Sequence, residues 1–157
     1  MTARENVFLR SAAPVREQAE RLRDLLGLEP IPDQSGAGPD QYGLRAAART
    51  VPGTLGFLVQ PNLHVEADPA PEDVQAIDGY PIEIDIWLGR DEGAQRAEGR
   101  LVFDYLVQMW PDVPMLLCHD LEELLVAYRP GRGVYEFPAG TTMDAPDAAQ
   151  WRDWVEV

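Results

Sequence analysis

The sequence predicts an α+β domain, with a mixed or mainly antiparallel sheet covered by two or three helices, and three observations carry that expectation. Across PIEIDIWLG, Ile82, Ile84, Ile86 and Leu88 alternate with Glu83, Asp85 and Trp87, the period-2 pattern of a strand with one buried face. The next stretch spaces Ala94, Ala97, Leu101, Val102, Tyr105, Leu106 and Met109 by threes and fours, the apolar stripe of a helix laid on that sheet. Finally, the signals run strand, helix, extended, strand, strand, then strand, helix, strand, strand, strand, then helix. Both halves approximate βαβββ, the trace a degenerate duplicated unit would leave.

Taken in order, ENVFLR is a short strand. Ser11 can cap a helix with Pro14 in its first turn, Val15, Ala19, Leu22, Leu25 and Leu26 on one face, and Gly27 as its stop. LEPIP is extended by its prolines, and the Gly- and Pro-rich stretch near 33–41 reads as a mobile surface loop. Tyr42 to Arg49 and Leu55 to Gln60 are two strands joined by TVPGT. Asn62 to Gly79 is acidic loop with one helical turn started at Pro71. After the central strand and helix, Val113 to Cys118 is a buried strand, and LLVAYR and VYEF flank PGRG as a hairpin. The chain closes on a helix with Asp144 as cap, Pro146 in the first turn and Ala148, Trp151 and Val155 on one face.

A chain of 157 residues with 45% apolar content suits a single globular domain spanning 1–157. No run of apolar residues is long enough to cross a bilayer and MTARENVFLRSAAP lacks a secretory leader, so a cytoplasmic, non-membrane protein is expected. One cysteine, Cys118, excludes an internal disulfide framework. All 13 basic residues are arginine, so neither a Schiff base nor a P-loop lysine can form. The net charge of -14 is uneven: residues 1–60 carry seven acids and seven arginines, and the whole surplus follows residue 60. Its densest part, Glu66 to Glu92, repels phosphates and anionic membranes and attracts a basic partner, which argues against nucleic acid as ligand.

Chemistry is sparse. Cys118, His119 and Asp120 hold the parts of a nucleophilic triad, but strand neighbours point to opposite faces, so a buried cysteine at a strand end is the expected reading. His64 and Glu66 share a face of an extended segment without completing a metal site, and no phosphate or nucleophile-elbow motif occurs. No cofactor, metal or catalytic residue is therefore assigned. Glu83 and Asp85 project together from the central strand onto its wet face, with Trp87 beside them as an aromatic centre inside an acidic rim.

In size, charge and lack of chemistry, though in no motif, the chain resembles small acidic bacterial immunity proteins, which neutralise a cognate toxin by blocking its active site. That resemblance implies a non-catalytic protein-binding module that covers a basic toxin or enzyme through Glu66, Asp68, Glu72, Asp73, Asp78, Glu83, Asp85 and Trp87. Charge reversal at Glu83 and Asp85 should then weaken binding and leave the fold intact. The βαβββ order also invites comparison with the vicinal oxygen chelate family, whose members bind metal through His and Glu on sheet strands. Here NVFLR and EIDIW hold no histidine. The alternative reading is a small-molecule-binding protein or enzyme with a pocket between sheet and loops. A third is a homo-oligomer that buries the Trp-bearing face.

Overall fold

The computed structural model describes residues 3–32, 38–89 and 91–155; part of the loop expected near 33–41, residues 33–37, lies outside them. Eight strands form one sheet: β1 (Glu5–Leu9), β2 (Glu29–Pro30), β3 (Tyr42–Ala47), β4 (Thr54–Pro61), β5 (Ile82–Trp87), β6 (Met115–His119), β7 (Glu123–Arg129) and β8 (Gly133–Glu136). The helices are α1 (Val15–Leu26), α2 (Glu92–Met109) and the short α3 (Ala148–Trp151). The spatial order is β2-β3-β4-β5-β1-β6-β7-β8, and every pairing is antiparallel. The α+β expectation is met. The βαβββ order recurs along the chain, yet the strand pairing does not repeat: the first half meets the centre through its last strand, β4, and the second through β6.

The alternation in β5 sends Ile82, Ile84 and Ile86 to one face, where they join Val7 and Leu9 of β1, Phe57 and Val59 of β4 and Leu117 of β6. Helices α1 and α2 cover that face. Helix α1 contributes Ala19 and Leu22 and turns Arg16–Glu20 and Glu17–Arg21 pairs outward. Gly27 closes it in the left-handed conformation, φ 65°, its N–H donating to the Arg23 carbonyl. Pro14, rather than Ser11, is the N-cap; the Ser11 hydroxyl donates instead to the buried Gln18 side chain.

Helix α2 begins where Asp91 accepts a hydrogen bond from the Ala94 N–H, and its buried face differs from the apolar stripe. Gln95, Glu98, Gly99, Val102, Phe103 and Leu106 point inward, whereas Leu101 and Met109 are 46% and 45% exposed. The inward polar residues satisfy backbone ends: Gln95 receives the Leu88 N–H, and Glu98 receives the N–H groups of Arg49 and Thr50. Gly99 sets the depth of docking, because a Cβ there would lie 2.6 Å from Glu5 Cγ on β1. Gly99→Ala must lift α2 off the sheet or shift Glu5, and should cost about 1–3 kcal/mol in urea denaturation despite alanine's better helix propensity.

The opposite face is covered over its centre and the β6–β8 side. Two irregular segments provide the cover, 62–80 and 137–155, packing Ala76, Ile77, Tyr80, Phe137, Met143, Trp151 and Val155 onto Phe8, Leu116 and Ala127. The expected turn at Pro71 is a 3-10 turn, Pro71–Asp73, and the chain-closing helix is only the 3-10 turn Ala145–Asp147 followed by α3. Asp144 stands before them without a side-chain capping bond. Among the described residues no helix is long and apolar enough to cross a membrane.

Candidate functional site

Strands β1 and β5 pair at the centre of the sheet, Asn6 opposite Asp85 and Phe8 opposite Glu83, and this places both acids on the face away from α1 and α2. That face is not wet. Glu83 is 0% and Asp85 7% exposed: His64 of segment 62–80 lies against Glu83, and Arg4 and Asn6 lie against Asp85. The sequence expectation of a solvent-facing acid pair is therefore corrected: alternation assigns side chains to faces but not faces to water.

The acids are held by a dense set of donors. Asn6 Nδ2 donates to Asp85 Oδ1 at 2.8 Å and, more weakly, to Glu83 Oε2 at 3.4 Å. Gln60 Nε2 donates to Glu83 Oε1 at 2.8 Å, and Arg4 reaches Asp85 Oδ2 at 3.1 Å. His64 Nε2 lies 3.1 and 3.2 Å from the two Glu83 oxygens. Burial, and then the neighbouring Asp85 carboxylate, push Glu83 up to about 8, against the opposing pull of Gln60 and Arg4. Glu83 thus keeps a proton at neutral pH, and the Arg4 guanidinium stands beside its neighbour Asp85. Trp87 ends the same row, half-buried, its ring against Gly56 and under the Arg4 guanidinium at 4.6 Å.

His64 links this cluster to the surface. It begins the acidic segment, whose base is fixed by Asn62 donating to the carbonyls of Ile77 and Tyr80 and whose far side is tied by Gln75 donating to Asp144. His64, Glu66, Glu72, Asp73, Asp78 and Asp144 border a cavity of about 290 Å³. No ion pair among the described residues engages Glu66, Asp68, Glu72 or Asp73. Beside these acids Leu63 and Val65 stand 66% and 42% exposed, two of the few large apolar side chains facing water.

The sequence-derived surface therefore divides. Glu66, Asp68, Glu72, Asp73 and Asp78 lie together on the outer segment; Glu83 and Asp85 are buried and offer a partner almost no surface. Sequence reasoning missed Asn6, Gln60 and His64 as partners of the acid pair, and Leu63 and Val65 as exposed apolar groups. A faint signal existed, since Asn6 and Gln60 interrupt otherwise apolar strands.

A second buried cluster lies on the helix-covered face. His119 Nδ1 is 2.5 Å from Glu5 Oε1 and its Nε2 2.6 Å from Glu92 Oε1, so the ring joins β1 to the start of α2. Glu5 is 0% exposed, and its Oε2 has no hydrogen-bond partner among the described residues. Cys118, next in chain, points to the other face as expected of a strand neighbour; burial pushes its thiol well above the ordinary range, which leaves it unreactive. Among the described residues no three His, Cys, Asp or Glu side chains are disposed to hold a metal ion. Set beside known proteins, the chain matches no family model, no curated protein and no solved structure.

Proposed function

We propose that this chain is a non-catalytic acidic protein-binding module of the immunity-protein type, which inhibits a basic toxin or enzyme by covering its active surface. The observation that carries the reading is the outer segment itself: Leu63 and Val65 face water on the same stretch of chain as the exposed acids Glu66, Asp68, Glu72 and Asp73. An exposed apolar centre with a charged rim is the anatomy of a protein interface. The segment is held in place by part-buried hydrogen bonds before any partner arrives, which lowers the ordering cost of binding. Unpaired carboxylates on it favour fast, salt-sensitive association with a basic surface.

The test uses the tagged protein as bait in lysate of its own cells, beside the variant Glu66→Gln/Glu72→Gln/Asp73→Asn and the variant Leu63→Ser. Wild type should retain one basic protein at low salt and release it at high salt. The neutralised variant should retain at least tenfold less, and Leu63→Ser should lose affinity without losing salt dependence. Equal recovery by all three proteins, or recovery of nothing, would remove the interface from this segment.

A further inference from the structure

We infer that the helix-covered face holds a binding site for a small, uncharged, largely apolar molecule with one hydrogen-bonding head, independent of the acidic surface. The eight-stranded sheet is wider than its two covering helices, and between the end of α1 and the outer side of α2 a cavity of about 270 Å³ opens above β3 and β4. Its floor is Leu55, Phe57 and Val102, all buried, and its walls are Leu26, Ala46 and Leu101. Water in such a space finds few polar partners, so apolar matter displaces it favourably. The volume lies near the lower limit for ligand pockets and sets the scale at a short alkyl chain or a single ring.

The mouth decides the charge of the occupant. Two carboxylates, Glu98 and Asp104, and one guanidinium, Arg49, line it, and the carboxylates are already answered: Glu98 by the N–H groups of Arg49 and Thr50 at 2.7 and 2.8 Å, Asp104 by Arg100 at 2.8 Å. Burial pushes the Glu98 carboxyl up, but the hydrogen bonds from Thr50 and Arg49 outweigh it and hold it below the usual range, so it stays ionised and repels a second anion. Arg49 opposes a cation in the same way. Apart from the Arg49 guanidinium, whose charge faces the Glu98 carboxylate, the groups the mouth leaves without a hydrogen bond among the described residues are neutral, the Tyr105 hydroxyl and the Gln108 amide. They suit an alcohol, ketone or ester head.

Titrating methyl-labelled protein with 1-hexanol, hexanoate and hexylamine reads the site directly. Hexanol should shift the Leu26, Leu55, Leu101 and Val102 methyls saturably, leave Ile77 and Leu116 on the far face unmoved, and bind at least tenfold more tightly than either charged probe. Ala46→Phe, which fills the cavity from β3, should weaken hexanol at least tenfold; Leu101→Trp closes the same mouth from an exposed helix position should the first variant fold poorly. Shifts spread over both faces, equal binding of the charged probes, or hexanol affinity unchanged in a folded filled variant overturns the inference.

Discussion

Glu83→Gln is expected to stabilise the protein above neutral pH and to flatten its dependence on pH. The wild-type carboxyl holds its proton to about 8 in the folded chain, against 4.5 when free. Below the lower value both states are protonated and no penalty exists. Between the two, the unfolded chain has released a proton that the folded chain keeps, so stability falls as pH rises, and the loss is complete above the upper value. The gap, which already includes the pull of Arg4, corresponds to roughly 5 kcal/mol as a ceiling, reduced to the extent that His64 answers the charge. Glutamine is the neutral isostere: it can accept from Gln60 and donate to Asp85, as the protonated acid does. Urea denaturation from pH 5 to 9 should show wild type losing stability over this window and the variant losing less than half as much. Parallel curves would mean that Glu83 is ionised throughout, with His64 as its counter-ion. Glu83→Arg goes the other way: a guanidinium under segment 62–80 has no exit to water, so charge reversal here tests folding and not partner binding.

That outcome reverses the expectation drawn from sequence, and the reason is physical. Local periodicity carried the strands, α1, the β7–β8 hairpin and the C-terminal apolar row Ala148, Trp151 and Val155, because each depends on neighbours a few residues away. The cover over this face of the sheet comes from 62–80 and 137–155, which have almost no regular structure and so leave no period in the sequence. In α2 the apolar stripe misled for a related reason. Gln95 and Glu98 face inward to serve the N–H groups of Leu88, Arg49 and Thr50, a demand set by loops far away in the chain. The five acids of the outer segment were legible as charge. The exposure of Leu63 and Val65 beside them in the chain was not, since an isolated exposed leucine carries no pattern at all.

His119→Ala should be the most damaging single truncation of a side chain outside the apolar core. The two ring nitrogens of His119 both meet carboxylate oxygens, and a ring that carries both protons donates on both sides and answers the charge of Glu5, which is fully buried. Alanine leaves the Glu5 carboxylate with only Gln95 Nε2, at 3.2 Å, among the described residues, while its other oxygen already lacks a partner. Removing one member of a buried charge pair costs about 3–5 kcal/mol, a large share of the roughly 5–15 kcal/mol that holds a domain together. Repeating the substitution in a Glu5→Gln background separates lost charge from lost packing. If the uncompensated carboxylate is the cause, His119→Ala costs less than half as much in that background, where no charge is left to strand. An equal cost in both backgrounds would assign the loss to the cavity left by the ring, and His119 would then be a packing residue that happens to touch two acids.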